Sequence, residues 1–370
     1  MKVLFITTYK ITDTGDGISN KIVNQVNAFR RLGAKVDFLY RNHDGVCGEI
    51  DGEKIFNKNK LLTKVLFPIW CVLKTKKKSY ELIYIRNMCK EPNVISLPFA
   101  LGQFSKISMN TVIEIPTYPF EGEVKSLSDC LYLKYYNFCK IFMRKHVNFI
   151  TFMGEERKSI WDIPSLRRFN AVDFNSVLSN EKKEGETINF IGVAGLAYWH
   201  GYDRVIEGIC SYNKTLGINK KYKLKFHIVG DYEPEFSRLK ELVSNLKVTE
   251  DVVFHGRLNN TELNKLFPFM SIAIDSLGRH RSGQKYNCSI KSKEYAARNI
   301  PFIKSHKDDA FEMVDFVLTV PANDDELDMF KVIKWYESLG EYGFSIRDYA
   351  RSELTWERQM SKVLNKANKA

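Results

Sequence analysis

The chain contains 370 residues, which is more than one ordinary domain and suits two domains of about 150–200 residues each. With 44% hydrophobic, 27% charged and 13% aromatic residues, it has the composition of a globular protein and not that of a disordered or fibrous one. The formal net charge of +12 indicates an anionic partner without naming it.

The seven cysteines are scattered, and none belongs to a Cys-x-x-Cys pair. This pattern argues against a disulfide framework or a structural zinc site, and it favours reduced thiols in the cytoplasm. Met1 and Lys2 lead directly into an apolar strand, so we expect no signal peptide.

Strands and helices are predicted to alternate in the first half of the chain. A buried strand at residues 3–6 is followed by a glycine turn at 15–17 and a helix over about 20–32. Further strands are predicted at 35–40, 82–86, 111–115 and 149–152, the last after a long aromatic helix over 127–146. Continuous apolar strands separated by helices predict a parallel sheet that is covered on both faces.

A polar, charged stretch at 178–187 is typical of an interdomain linker, and the alternating pattern then begins again. The predicted strands of this second half are 188–194, 224–230, 252–256 and 270–275, with helices over 201–212, 236–246 and 261–267. Two successive doubly wound units predict a ligand site in a cleft between them.

The segment 289–303 carries the strongest functional signal. It begins as a loop and becomes a short helix, whose free N–H groups and positive dipole end suit a phosphate. Lys291 adds a cation there, and Glu294, one turn further, could hold the two vicinal hydroxyls of a ribose. The alternative interpretation is an amphipathic helix with solvated charges.

An apolar run at 61–73 lies between lysine-rich stretches and contains Trp70. At this length, and interrupted by Lys64 and Pro68, it cannot span a bilayer. It could lie on an anionic membrane surface, or it could be a helix packed on its own sheet. We find no nucleic-acid-binding module among the basic runs.

Several motifs in order resemble those of one enzyme family over nearly the whole chain. They include Asn170-Ala171-Val172-Asp173, the helix start Trp199-His200-Gly201-Tyr202-Asp203-Arg204 and the segment 289–303. The strand ends 226–231 and 253–258 and the glycine turn 15–17 complete the set. The chain resembles the GT-B glycosyltransferases, specifically the retaining nucleotide-sugar transferases of family 4 of the bacterial surface-polysaccharide type.

This resemblance implies an α/β protein with the GT-B fold, in which two Rossmann-like doubly wound domains face each other across a cleft. Residues 1–178 would form the acceptor domain and 187–350 the nucleotide-sugar donor domain. Residues 351–370 would form a helix that crosses back to the first domain, with Thr355 as its cap and Trp356 as its apolar anchor.

The implied reaction moves a hexose-type sugar from a nucleotide-sugar, with UDP-sugar preferred, to a surface glycan or a polyprenyl-linked acceptor, with retention of configuration. The nucleotide-sugar is a substrate, so no cofactor is implied, and no Asp-x-Asp motif is present to hold a metal. The implied location is the cytoplasm, on the inner face of the membrane.

The resemblance also implies the donor-binding residues. Glu294 matches the glutamate that holds the ribose, and Lys291, with the backbone of Ser289 and Ile290, matches the pyrophosphate clamp. The remaining donor-binding positions are Gly17, Gly195, Gly201, Gly230, Gly256, Arg257 and Leu258, of which the last three would offer backbone groups to the base.

The chain departs from the family pattern at three places. Tyr286 stands eight positions before Glu294, where the family has another glutamate, and the basic segment 278–285 precedes it. Gly195 and His200 stand where the family has the phosphate-clamping Arg and Lys. We therefore expect His200 and Arg281, together with Lys291, to supply the catalytic groups, with Arg279 and Lys285 as further candidates.

The third departure is in the first half, where the family histidine after the middle strand is absent. Thr117, Tyr118 and Glu121 become the acceptor-side candidates there. Two other classes of protein are alternatives to a transferase. A catalytically silent subunit that stabilises a partner transferase is compatible with the missing groups. A Rossmann oxidoreductase is disfavoured because the turn at 15–17 does not continue as Gly-x-Gly-x-x-Gly.

Overall fold

The structure is a computed structural model, and it describes residues 1–12, 17–59, 61–86, 91–119, 126–174, 177–180, 185–215, 221–341 and 345–369. The chain divides into two compact units. Unit 1 comprises Met1–Phe169 and Trp356–Ala370, and unit 2 comprises Asn170–Thr355.

Unit 1 alternates strands and helices along the chain. Its strands are β1 (Lys2–Lys10), β2 (Lys35–Arg41), β3 (Val46–Ile50), β4 (Glu53–Asn57), β5 (Tyr80–Arg86), β6 (Ser108–Ile115), β7 (Phe149–Phe152), β8 (Ser159–Ile160) and β9 (Ile163–Arg167). Its helices in this part of the chain are α1 (Gly17–Arg31), α2 (Phe67–Thr75), α3 (Leu97–Ile107) and α4 (Leu127–His146).

Among the described residues these strands form one sheet in the order β4-β3-β2-β1-β5-β6-β7-β9-β8. Strands β2, β1, β5, β6, β7 and β9 are parallel to one another. Val3, Leu4, Phe5 and Ile6 of β1 are all buried, as expected for a central strand covered on both faces.

The edge hairpin β3–β4 was not predicted from the sequence. Its strands are antiparallel, and its turn contains Asp51 and Gly52, both with positive φ (50° and 84°). An Asp-Gly pair in this conformation matches the right-handed twist of the flanking strands. The Asp-Gly dipeptide was therefore the signal that the sequence analysis overlooked.

Unit 2 repeats the alternation. Its strands are β10 (Thr187–Val193), β11 (Lys223–Val229), β12 (Val252–Gly256), β13 (Ile272–Ile274), β14 (Phe302–Lys304) and β15 (Val317–Thr319). Its helices are α5 (Asp203–Lys214), α6 (Glu235–Leu246), α7 (Asn260–Leu266), α8 (Ile290–Ala297), α9 (Met329–Ser338) and α10 (Ile346–Glu353).

The described strands of unit 2 are parallel and lie in the order β12-β11-β10-β13-β14-β15. The chain therefore runs outward from β10 in one direction and from β13 in the other. Ligands in doubly wound sheets bind at such a reversal, beside the carboxyl ends of the strands. Both sheets have this organisation, so the predicted fold class of two Rossmann-like doubly wound units is confirmed.

The last helix, α11 (Trp356–Ala367), belongs to unit 1. Trp356, Met360 and Val363 are buried on one side of it, and the side-chain amide of Asn110 donates a hydrogen bond to the carbonyl oxygen of Ala367 at 2.9 Å. These contacts fasten the end of the chain to the first sheet. No described helix is both long enough and apolar enough to span a bilayer.

Candidate functional site

The candidate site lies at the carboxyl edge of the unit 2 sheet, where the strand order reverses. The segment 194–200 follows β10, Asp275 follows β13 and His306 lies just after β14. The first residues of α8 reach the same edge, because they contact Asp275 and its neighbour Ser276. The topology therefore brings together residues that lie far apart in the sequence.

Asp275 is the buried centre of this group. Its carboxylate lies 3.2 Å from Nζ of Lys291 and 3.4 Å from Nε2 of His306, and it accepts a hydrogen bond from the hydroxyl of Ser289 at 2.9 Å. Burial would raise the pKa of Asp275, but Lys291 and His306 outweigh burial and hold this pKa well below its usual range. Asp275 is therefore an anion in the folded chain.

The sequence analysis did not identify Asp275 and His306 as site residues. Each is a polar residue that follows a short apolar strand. Because the carboxyl ends of parallel strands share one edge, polar residues at those ends are candidates for the site even without a motif. That positional signal was available in the sequence.

Lys291 lies in the first turn of α8, which Ser289 caps by accepting a hydrogen bond from the backbone N–H of Ser292 at 3.2 Å. Nζ of Lys291 also donates to the hydroxyl of Ser276 at 3.3 Å. Burial lowers the pKa of Lys291, and pairing with Asp275 opposes that effect. The first N–H groups of a helix have no acceptor inside the helix, so this turn combines free donors with a cation.

His200 is buried at the end of a short 3-10 turn over Tyr198–His200. The backbone N–H of Ala197 donates to its Nδ1 at 3.1 Å. Burial first, and then Lys291 and Arg279, lower the pKa of His200 to about 2. The ring is therefore neutral at physiological pH, with its proton on Nε2, and it can donate one hydrogen bond.

The loop that carries His200 is fixed by close backbone packing. The backbone N–H of Leu277 donates to the carbonyl oxygen of His200 at 2.8 Å. Gly201 follows with φ 66°, and a Cβ atom there would lie 2.7 Å from the backbone nitrogen of Gly278. Only glycine fits, so Gly201 positions His200 beside the segment after β13.

The structure separates the two arginines of the segment 278–285. Arg281 forms an ion pair with Asp203 at 2.9 Å and another with Asp324 at 2.6 Å, and it also donates to the carbonyl oxygen of Tyr198 at 2.9 Å. Arg279 is close enough to lower the pKa of His200, and its buried Nε has no hydrogen-bond partner in the described chain. Arg279 thus shares the surroundings of Lys291, whereas the catalytic role of Arg281 stays a prediction.

Glu294 lies one turn after Lys291 on α8 and is partly buried. Burial raises the pKa of its carboxyl group, and Arg298 opposes that effect. No described side chain donates a hydrogen bond to this carboxylate, in contrast to that of Asp275. Its assignment to the ribose stays a prediction.

Three of the predicted glycines of unit 2 also lie at the carboxyl edge: Gly195 follows β10, Gly230 follows β11 and Gly256 is the last residue of β12. Gly230 has φ 133°, and a Cβ atom there would lie 2.0 Å from the carbonyl oxygen of Ala194, so no larger residue fits. Gly256 has φ 65° and accepts a hydrogen bond from the N–H of Gly230 at 2.8 Å. The remaining predicted positions on this edge are Arg257, Leu258, Ser289 and Ile290.

The acceptor-side candidates lie in unit 1. Thr117 is exposed after β6, and the ring of Tyr118 packs edge-on against Phe152 and Trp161, each at 6.2 Å between ring centroids. Gly17, the donor-loop candidate, is the first residue of α1. The candidate Glu121 and the glycine-turn residues before Gly17 lie outside the described residues.

Two interpretations of the run 61–73 were left open by the sequence, and the structure supports the helix packed on its own sheet. The side chain of Trp70 is only 4% exposed and stacks on Phe67 with ring centroids 6.0 Å apart. Trp70 therefore belongs to the core of unit 1 and is not a surface anchor. The described part of the chain contains no group of three or more His, Cys, Asp or Glu that could hold a metal ion.

Two parallel doubly wound units, with polar groups gathered at the carboxyl edge of the second, define the GT-B class of fold. Solved structures agree. Sucrose-phosphate synthase from Thermosynechococcus elongatus matches with a TM-score of 0.65 at 13% identity, covering 99% of both chains. The catalytic domain of starch synthase IV from Arabidopsis thaliana, bound to ADP and acarbose, matches with 0.61 at 9%, covering 100% of both chains.

The lipopolysaccharide outer core galactosyltransferase WaaB, in its apo form, matches with a TM-score of 0.59 at 14% identity, covering 99% of both chains. At these identities the likeness is one of fold. No family model matches the sequence, and no curated protein matches it.

Proposed function

We propose that the chain is a glycosyltransferase that moves a hexose-type sugar from a nucleotide-sugar to an acceptor hydroxyl. One observation carries this proposal: Lys291, Arg279 and neutral His200 gather with the first turn of α8 at the switch point of the sheet. All of these are donors or cations, and together they suit an anionic ligand. The protein names of the three structural neighbours, two synthases and a galactosyltransferase, support sugar transfer.

The chemistry explains why such groups would be catalytic. As the bond between the anomeric carbon and the phosphate oxygen breaks, negative charge grows on the departing nucleoside diphosphate. Fixed cations and N–H groups stabilise that charge more in the transition state than in the ground state. Lys291 and Arg279 would act on the pyrophosphate, and His200 would donate its Nε2 proton in a hydrogen bond.

In this proposal Glu294 would hold the sugar of the nucleotide. An anionic carboxylate accepts hydrogen bonds from two vicinal hydroxyls, and this one has no described donor of its own. The positions at the carboxyl end of β12, Gly256 to Leu258, would then face the base.

Retention of configuration and a UDP-sugar donor belong to this proposal. In a same-face mechanism the acceptor oxygen bonds to the anomeric carbon on the side that the phosphate leaves. The acceptor proton passes to the departing phosphate oxygen, so no protein nucleophile is required. The acceptor would be a surface glycan or a polyprenyl-linked sugar, with Thr117 as its exposed described candidate.

A silent binding subunit is the second candidate, because Tyr286 stands where the related family has a glutamate. A screen of UDP-, GDP- and nucleoside-monophosphate-linked sugars for thermal stabilisation tests the first requirement. A ligand at a hundred times its Kd stabilises the folded state by about 2.7 kcal/mol. Consumption of the best binder, followed by chromatography with and without acceptor, separates the candidates. Binding without consumption supports the silent subunit, and no stabilisation by any sugar nucleotide contradicts the proposed transferase.

A further inference from the structure

We propose that the outer surface of α3 and α4 in unit 1 docks on an anionic phospholipid bilayer. This surface, the α3–α4 face, consists of the outward side chains of the two helices and of Ile95 just before α3. The proposal concerns unit 1, whereas the candidate site belongs to unit 2, and it holds whether or not the chain transfers a sugar.

Helix α4 carries an apolar stripe on its solvent side. Leu127, Leu131, Phe138 and Ile141 are 87%, 66%, 52% and 51% exposed. Together with Lys134 and Lys145, these four residues follow one another at intervals of four and three residues in turn. This spacing puts all six on one side of a helix. A helix that only covers a sheet needs no apolar residues on this side.

The inward side of α4 is apolar as well. Tyr136, Cys139 and Met143 are buried and belong to the core of unit 1. The outward stripe is therefore additional to the residues that the fold requires. Exposed apolar residues grouped in this way mark an interaction surface, whereas single ones do not.

Helix α3 extends the same surface. The connections β5–α3–β6 and β6–α4–β7 advance in one direction along the sheet, so right-handed crossovers place both helices on the same face. Ile95 and Phe99, four residues apart, are both exposed, and the hydroxyl of Tyr135 on α4 donates to the carbonyl oxygen of Ile95 at 3.1 Å. The apolar patch thus spans two adjacent helices.

The charges around this patch select an anionic partner. Helices α3 and α4 together carry five cationic residues and a single carboxylate. The cations are Lys106, Lys134, Lys140, Arg144 and Lys145. The carboxylate, Asp129, is used in the capping box of α4 with Ser126. Apolar residues between lysines and arginines are the pattern of a helix that lies in the interface of an anionic bilayer.

A second copy of the chain fits this surface less well. A two-fold contact would bring cations of both copies together, and the carboxylates at the α3–α4 face are the capping Asp129 and the exposed Asp162, which already pairs with Arg144 at 2.6 Å. The other helical layer of unit 1 provides an internal comparison. Helices α1 and α11 are also rich in cations, but their exposed large apolar residues are only Ile18 and Val23.

Co-sedimentation with vesicles tests the proposal on the full chain. Vesicles of phosphatidylcholine with 30 mol% phosphatidylglycerol should retain the protein at low salt and release it as salt rises, whereas pure phosphatidylcholine vesicles should retain little. The charge variant K134E/K145E should lower the partition coefficient by about 30-fold or more, since each lysine contributes about 1 kcal/mol near such a surface. The matched control, K214E/K265E, changes two exposed lysines of unit 2 helices and should bind like the wild type.

Fluorescence supplies a second readout that does not depend on the affinity. Phe138→Trp should be quenched by brominated acyl chains in the anionic vesicles, and Phe269→Trp, at a comparably exposed position of unit 2, should not. Circular dichroism melting verifies that each variant folds. Equal partition onto neutral vesicles, or equal binding of K134E/K145E and the control, would overturn the proposal. The proposal would also be overturned if the wild type self-associates without binding vesicles and Leu131→Ser abolishes the self-association. The surface would then be an interface between copies.

Discussion

Glu114 in unit 1 and Asp275 in unit 2 are both buried carboxylates near the carboxyl ends of parallel strands. Burial raises the pKa of both groups, and in both the neighbouring cations outweigh burial, so that each pKa is lowered. Their surroundings differ. That difference separates a group that holds the fold together from one that prepares a site.

Glu114 is enclosed by core elements. One carboxylate oxygen pairs with the guanidinium groups of Arg86 and Arg168, the latter at 3.1 Å. The other accepts hydrogen bonds from the hydroxyl of Tyr84 at 2.8 Å and the side-chain amide of Gln25 at 3.2 Å. This network links β5, β6, α1 and the segment after β9, and its members are buried.

Asp275 instead pairs with residues at the edge of the sheet. Lys291 and Ser289 belong to the start of α8. The side chain of Lys291 is partly exposed, and it lies close to His200, as Arg279 does. A ligand anion can therefore reach the cations that Asp275 holds, whereas none of the partners of Glu114 is open in this way. Substitutions should accordingly affect stability in unit 1 and activity in unit 2.

The largest effect is expected for Glu114→Gln. Without the carboxylate, Arg86 and Arg168 are left buried without their counter-charge, which typically costs about 3–5 kcal/mol of the free energy of unfolding. Urea unfolding followed by circular dichroism measures this loss. Glu49→Gln, which removes an exposed pair with Arg30, is the control and should change stability by less than about 1 kcal/mol. A loss below about 1 kcal/mol in Glu114→Gln would show that the enclosed network does not stabilise unit 1.

Lys291→Ala should affect turnover. If Lys291 stabilises the charge that develops on the leaving pyrophosphate, its loss should lower kcat about 100- to 1,000-fold, as for other single donors to a developing anion. KM should change much less, because the charge that Lys291 stabilises develops only in the transition state. A variant with normal kcat and a raised KM would instead indicate uniform binding of ground state and transition state.

The loss of stability in acid should follow the protonation of the Glu114 carboxylate. Its pKa is about 2 in the folded chain and near 4.5 in the ordinary case, so the folded state binds this proton more weakly. The stabilisation is complete above pH 4.5 and is lost as the pH falls towards 2, by about 3 kcal/mol in total. Urea midpoints between pH 2.5 and 6 measure this slope. The wild type and Glu114→Gln should converge in stability as the pH falls, and parallel curves would contradict the assignment.

Glu294→Gln should give a moderate effect on binding. Replacing a charged acceptor of the ribose hydroxyls should weaken nucleotide affinity by about 1–3 kcal/mol. Isothermal titration with the nucleotide found in the thermal screen measures it. Glu262→Gln, a change confined to the capping box of α7, is a control that should leave the affinity unchanged. Wild-type affinity in Glu294→Gln would remove this residue from the donor site.

The sequence predicted those features that depend on local pattern. Apolar runs predicted the central strands of both sheets. The loop-to-helix pattern at Ser289 predicted that Lys291 lies in the first turn of a helix. The hairpin at Asp51 and Gly52 was missed although its signal is also local.

The remaining differences depend on contacts between distant residues. Arg279 and Arg281 are two positions apart and chemically identical in the sequence. Asp203 and Asp324, which lie 78 and 43 residues from Arg281 along the chain, pair with it, and so Arg279 is the arginine beside Lys291. The choice between the two interpretations of Trp70 depended on such contacts as well, because composition shows that a residue is apolar but not what covers it.

The smallest effect is expected for His200→Gln. The pKa of His200 is about 2, so between pH 5 and 8 the ring is neutral in the folded chain and does not titrate. Loss of one neutral hydrogen bond, about 0.5–1.5 kcal/mol, should lower kcat up to about tenfold, by the same factor at every pH in that range. Rates of sugar transfer measured from pH 5 to 8 for both proteins therefore should give parallel profiles. If the ring acts as an imidazolium, the pH–rate profile of the wild type contains a limb that the profile of His200→Gln lacks, and the two profiles diverge near pH 6–7. That divergence would contradict the neutral assignment that follows from burial beside Lys291 and Arg279.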